Sequence, residues 1–295
     1  MSTLQNKIDF AVIFRVTNAN PNGDPLNGNR PRTDYSNFGE MSDVSIKRKI
    51  RDRLLERWIN DGRKEDDGNM IFVQSDDRKA DDAKSLRDRA EAGLGKELGS
   101  EKTAELACKK WLDVRAFGQL FALKSNKKAG KKKEDGSDEE GDTGVSIGIR
   151  GPVTIQSAFS VEPIDVTSQQ ITKSVSGEGD GTKRSSDTMG MKHRVDHGVY
   201  VFKGSMNPQL ADKTGFSNAD AEAIKTVFPR LFENDESSAR PAGSMEVLKV
   251  IWWQHSCKAG QYSSAKVHRT LVVNPDGGYT LSSLDGLTPE EINGF

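Results

Sequence analysis

The order of elements in this 295-residue chain predicts an α+β fold on a ferredoxin-like core. Three observations lead there. Residues 8–16 (IDFAVIFRV) are apolar at nearly every position, as in a strand central in its sheet. Two amphipathic helical stretches follow, at 42–58 and 216–235. Strand-like segments lie between and after them. Without its excursions the chain runs βαββαβ, the pattern that RNA-recognition modules use.

Behind the first strand, residues 18–34 (NANPNGDPLNGNRPRTD) are turn-forming, and the repeated Asn-Gly is a strong hairpin signal. In 42–58, Ser42 or Asp43 is the expected N-cap, and Ile46, Ile50, Leu54 and Trp58 step by four. The opposite face carries Lys47, Arg48, Arg51 and Arg53. Residues 61–113 are highly charged and helix-forming, with breaks at 93–95 and Gly99, and read as a helical insertion. After the apolar stretch 113–123, residues 124–142 hold six Lys and then six Asp/Glu, and a mobile loop is expected. Residues 145–164 read as strands, and 165–194 as a polar, Gly-rich excursion forming a long irregular hairpin. A strand at 199–203, a helix capped by Ser217 and interrupted by Pro229, and strands at 245–255 and 266–274 complete the chain.

Charged residues make up 29% and the hydrophobic set 34%, so the core is modest and the surface extensive. No apolar run of about 18 residues exists, so no membrane span is expected, and the N-terminus lacks a signal-peptide layout. Cys108 and Cys257 suggest neither a disulfide framework nor a zinc ribbon, which fits a reducing cytoplasm. The net charge of −1 argues against a free-standing nucleic-acid-binding domain, yet the charge is clustered. Seven Lys/Arg stand against four Asp/Glu in 30–53, and four against one in 183–194. Electrostatic footprints are local, so distribution matters more than the total.

Two regions can hold an anion. A helix N-terminus leaves free amides, and Arg30 and Arg32 would reach that end of the basic helix from the loop. Gly23 and Gly28 would allow close backbone approach to a ligand. In the second region, Met189 and Met191 are apolar side chains in a polar hairpin, able to wedge between bases or to pack on the body. Against these stand plainer readings: a solvated basic face, and Asp24 and Asp34 merely closing turns. The same two acids would bind the metal if the protein were a ribonuclease. His193 with His197, or His255 with Cys257, do not complete a zinc site, and no metal or cofactor is expected. RAFGQLF (115–121) only grazes the RNA-recognition aromatic signature.

Several segments taken together carry a resemblance: ANPNGDPLNGNRPRTD, DVRAFG, GPVTIQSAFSVEPI, SSDTMGMKHRVDHGVYVFKGSMN and SARPAGSMEV. They are similar to the backbone subunit of type I CRISPR Cascade complexes, subtype I-C, in the RAMP superfamily. The likeness spans nearly the whole chain; the tract 124–142 has no counterpart in it. It implies a hand-like shape with an RNA-recognition-like palm (1–60, 114–164 with a mobile loop at 124–143, and 196–295). Helical fingers (61–113) and a hairpin thumb (165–195) complete it. It further implies a non-catalytic subunit that polymerises with other copies along a CRISPR RNA guide. The thumb kinks out bases, and the guide is displayed to target DNA. Other Cascade subunits and a recruited helicase-nuclease are the implied partners. Carried over to this sequence, Arg30, Arg32, Ser45, Lys47, Arg48 and Arg51 would hold guide phosphates. Thr188, Met189, Lys192, His193 and Arg194 would form the thumb, with Met189 as the wedge. From its charge alone, the lysine tract (Lys127, Lys128, Lys131, Lys132, Lys133) is either a DNA contact or a solvated loop neutralised by its own acids.

Overall fold

The computed structural model describes residues 2–63, 67–123, 145–172 and 189–295. The chain runs β1 (Ile8–Ala19), β2 (Gly23–Asp24), β3 (Arg30–Pro31), β4 (Phe38–Met41) and α1 (Asp43–Asn60). Then come α2 (Leu86–Leu94), α3 (Thr103–Lys110), α4 (Leu112–Phe117), β5 (Gly118–Leu123) and β6 (Val145–Arg150). β7 (Val153–Ile155), β8 (Ala158–Pro163), β9 (Val166–Thr172), β10 (Met189–Met206), α5 (Pro208–Thr214) and α6 (Asn218–Val227) follow. The last elements are β11 (Met245–Gln254), α7 (Ser264–His268), β12 (Leu271–Val273), β13 (Tyr279–Leu281) and β14 (Glu290–Asn293).

The main sheet is antiparallel, in the order β14-β11-β1-β10-β8-β4, with β7 and β9 also paired to β10. β1 is central, as its apolar run predicts, because both of its faces are covered. Phe10, Val12, Phe14 and Val16 meet Ile46, Ile50 and Leu54 of α1 and Ile224 and Val227 of α6. Ala11 and Ile13 point the other way, into Trp253, Val267, Leu271 and Leu287. Each Val, Leu, Ile or Phe side chain among these, fully buried, contributes about 1.5–3 kcal/mol. Gly204 pairs with Phe10 across β10 and leaves space for its ring; a Cβ there would lie 2.3 Å from Phe10 Cζ.

Four expectations are corrected. The strand expected at 199–203 begins at Met189, because β9 pairs with the polar first third of β10, where no apolar alternation marks a strand. Residues 266–274 are not one strand. Ser263 caps a short helix by accepting from the Lys266 amide, and only Leu271–Val273 is extended. Within the insertion, residues 67–85 are turns rather than helix. Asp113 takes the Phe72 and Val73 amides, and Gln74 takes that of Ala80, so side chains satisfy backbone that a helix would otherwise pair. Finally, β5 and β6 pair with each other outside the main sheet. Phe121, with Ile147 and Ile149, joins a separate core around Phe72, Trp111 and Leu94.

A buried polar cluster ties the C-terminal segment to β1. Asp9 is fully buried, pairs with Lys7 at 3.1 Å and accepts from His255 Nε2 at 2.9 Å. The Gln261 amide donates to His255 Nδ1, which leaves the proton on Nε2. His268 lies 3.8 Å from Asp9, with its Nε2 on the Gly204 carbonyl at 3.1 Å; Lys203 reaches its backbone oxygen. Burial, helped by Lys203 and Lys7, holds His268 below its ordinary 6.5 against the pull of Asp9. Below about pH 6.5 the unfolded chain takes up a proton that folded His268 resists, so stability falls as pH drops. His268→Gln keeps a donor for Gly204 and is expected to flatten the melting-temperature profile as pH falls below about 6.5. An identical profile would exclude His268 as its source.

Candidate nucleic-acid interface

The loop after β1 is a built structure. β2 and β3 pair as a small hairpin, Gly23 with Pro31 and Asp24 with Arg30. Asp24 caps the turn at Pro25–Asn27 by accepting from the Leu26 amide at 3.2 Å, and lies 3.5 Å from Arg32. Gly28 ends the turn at φ +57°, in the left-handed region that glycine enters freely. Gly23 faces the Asn29 side chain, which would lie 2.0 Å from an added Cβ, so this glycine serves the turn rather than a ligand. Asp34 accepts from the Ser36 and Phe38 amides at 2.8 and 2.9 Å and closes a second turn.

This loop is fastened to the start of α1. Asn22 Oδ1 accepts from both the amide and the hydroxyl of Ser42, each at 2.9 Å. Ser42 in turn accepts from the Ser45 amide as the helix N-cap. Ser45 is half-buried in this cap. Lys47 reaches back one turn to Asp43 at 2.8 Å, and Arg48, half exposed, donates to Ser75 Oγ at 2.8 Å beside Asp52 and Asp77. Arg51 differs from these. Its side chain is 12% exposed, its Nε lies 2.9 Å from Asp113, and its guanidinium sits over Phe117.

The second region joins the first at the foot of the β9–β10 hairpin. The register pairs Met189 with Thr172, Met191 with Gln170 and His193 with Ser168, and these alternate residues share one face. Met189 and Met191 are 61% and 54% exposed there. Ser168 Oγ lies 2.9 Å from His193 Nδ1 and accepts from Arg30 Nη1 at 2.8 Å. Arg30 of the Asn/Gly loop and His193 of the hairpin thus converge on one hydroxyl. Lys192, exposed, and Arg194, held by Asp196 at 3.3 Å, lie on the opposite face. Thr188 and Lys127, Lys128, Lys131, Lys132 and Lys133 lie outside the described residues.

The fold therefore brings Arg30, Arg32, His193, Met189 and Met191 to adjoining elements and commits Arg51 to a buried acid. Sequence reasoning missed Ser168, Asn22 and Asp113. The hairpin register and the Arg51 partner carry no local signal; Asn22, inside an Asn-Gly pair, reads only as a turn residue.

The family model for CRISPR-associated protein Cas7 matches residues 6–287. A CRISPR-associated protein Cas7 of Haloferax volcanii is 25% identical over 292 residues, which span 96% of this chain and 80% of that protein. One solved chain, of a CRISPR RNA-guided surveillance complex in a pre-nicking state, is 18% identical with a TM-score of 0.46, over 84% of this chain and 75% of its own. A second, from a CRISPR RNA-guided surveillance complex, is 17% identical with a TM-score of 0.45, over 95% and 77%. With the family model matching almost end to end, the chain belongs to the CRISPR-associated protein Cas7 family.

Proposed function

We propose that this chain is a non-catalytic backbone subunit of a CRISPR RNA-guided surveillance complex of subtype I-C, holding the guide by its phosphates. The observation that carries the reading is the convergence of Arg30 and His193 on Ser168, which joins the loop and the hairpin into one surface. Sequence-independent holding requires phosphate rather than base contacts, since base contacts would restrict which guides fit. Copies of the chain would line up along one guide, so each needs only a local basic track, which suits the net charge of −1. Met189 and Met191 supply exposed apolar side chains able to wedge between bases. Target DNA would pair with the displayed guide, while other subunits and a recruited helicase-nuclease act on the assembled complex in the cytoplasm.

The strand order β11-β1-β10-β8 with α1 and α6 on one face supports an RNA-recognition-like palm. Its opposite face, where such modules stack bases, carries α7 and the β12–β13 pair. The guide therefore runs along the loop–hairpin edge rather than across the sheet. Asp24 and Asp34 are occupied with turn amides, which favours holding over metal-dependent cleavage.

The test is binding of mixed-sequence single-stranded RNA to the nuclease-treated full chain across a salt series. Arg30→Glu is expected to weaken binding by about tenfold and to lower the log–log salt slope by about 0.7, one phosphate contact on a single strand. Unaltered affinity would overturn the assignment. Cut complementary RNA with Mg²⁺ would indicate a ribonuclease, and nuclease-insensitive oligomers without RNA binding would indicate a pure assembly protein.

A further inference from the structure

Asn20, the first residue past β1, is 3% exposed although it begins a surface loop. Polar loop residues ordinarily face water, so a buried amide there needs a structural or functional reason. Its Nδ2 donates to the Asn29 carbonyl at 2.7 Å, and its backbone amide donates to the Ala239 carbonyl at 2.9 Å. One residue therefore grips the chain immediately before Arg30 and is itself gripped from behind.

The support behind it is charged and buried. Ser237 and Arg240 exchange backbone hydrogen bonds at 2.9 and 3.0 Å, closing a tight turn around Ala239. Arg240 Nε donates to Asp235 Oδ2 at 3.0 Å, and the same carboxylate pairs with Lys49 on the inner side of α1. Lys49 and Asp235 are both buried. A second tie holds the segment, from the Thr17 amide to the Ser244 carbonyl at 2.8 Å. The path runs from α1 through Lys49, Asp235 and Arg240 to the Ala239 carbonyl, then through Asn20 to Asn29, Arg30 and Ser168.

We propose that Asn20 is a positioning residue of the guide-holding surface, setting where the Arg30 guanidinium stands, with Lys49, Asp235 and Arg240 bracing it from behind. The inference rests on the guide-holding reading above. The chemistry explains the residue type. Aspartate, of equal size, has no donor and would set a carboxylate against the Asn29 carbonyl. Alanine would release Asn29 altogether. A guanidinium must meet a phosphate oxygen within a few tenths of an ångström to keep a charge-assisted bond, so a loosened loop weakens a contact that Asn20 never makes.

The experiment is a double-mutant cycle on the full chain, reading single-stranded RNA affinity, salt slope and melting temperature. Arg30→Gln and Asn20→Asp are each expected to weaken binding about tenfold and to lower the salt slope by about 0.7, and the double variant to bind no more weakly than Arg30→Gln alone. Asp235→Asn, crossed with Arg30→Gln, gives the same non-additive pattern and decides the matter if Asn20→Asp does not fold. Losses that multiply, or an Asn20→Asp variant with the wild-type salt slope, would overturn the positioning role and leave guide holding intact. An Arg30→Gln variant that binds like the wild type would overturn both.

Discussion

Asp220→Ala is expected to lower the unfolding free energy by about 3–5 kcal/mol, the usual cost of removing one partner of a buried ion pair. Arg115 and Asp220 are both buried and meet through two parallel bonds, Nε to Oδ2 at 3.0 Å and Nη2 to Oδ1 at 2.6 Å. Such a fork fixes orientation as well as charge. Asp220 also accepts from the amide and hydroxyl of Ser217, whose hydroxyl accepts from the Asp220 amide in return, completing the capping box of α6. Arg115 further donates to the Gly68 carbonyl and, at 3.4 Å, to that of Cys108. One carboxylate thus joins a helix on the main sheet to α4 and to the turn region of the insertion. Its removal strands a buried guanidinium and uncaps a helix together. Urea denaturation reads the effect as a shift in midpoint at constant slope. A loss within 1 kcal/mol, on the order of a surface change, would sink the argument. Arg115→Met with Asp220→Leu is expected to regain the part of the loss due to the stranded guanidinium, since well-packed apolar replacements of a buried pair are often neutral, but not the acceptor of the Ser217 amide.

Asp113→Ala is expected to cost a similar amount, about 3–5 kcal/mol, and to do so locally. Asp113 is fully buried and accepts three times: from Arg51 Nε at 2.9 Å, the Phe72 amide at 2.7 Å and the Val73 amide at 3.0 Å. Without it a half-enclosed cation and two amides lose their acceptor, and each buried orphan costs about 1–3 kcal/mol. Hydrogen exchange at the Phe72 and Val73 amides is the direct measurement: exchange should quicken there before the main sheet opens. Unchanged protection at both amides would show that Asp113 does not hold this segment. The same geometry alters how Arg51 is tested. Arg51→Glu would set two carboxylates together in a buried place, so a loss of RNA binding would follow from unfolding as readily as from a missing phosphate contact. Arg30, whose partner Ser168 is exposed, separates the two causes.

Much of the frame was legible. The apolar run at 8–16 marked a strand, and its outward apolar residues found partners on both faces, as the pattern required. Ser42 and the fourfold spacing of Ile46, Ile50, Leu54 and Trp58 marked α1 with its cap. The Asn-Gly repeat marked a hairpin, and the polar excursion after residue 165 proved to have a paired stem. The insertion was harder to read. Its Lys, Arg and Glu residues have good helix propensity, yet 67–85 carries five Asp, which has little, and Asp113 and Gln74 draw its backbone into turns.

By itself the sequence determined the central strand, the two amphipathic helices with their caps, and the family to which the chain belongs. Only the tertiary structure decided which basic residues are committed to buried acids and which are not. Arg51 is bound to Asp113, 62 positions away, Lys49 to Asp235, 186 away, while Arg30 meets Ser168 across 138. The reason is physical. Periodicity is a property of neighbours three or four residues apart, whereas a charge is neutralised by whatever lies within about 4 Å in space. A helix face counted from sequence shows four cations alike; the fold assigns each its partner.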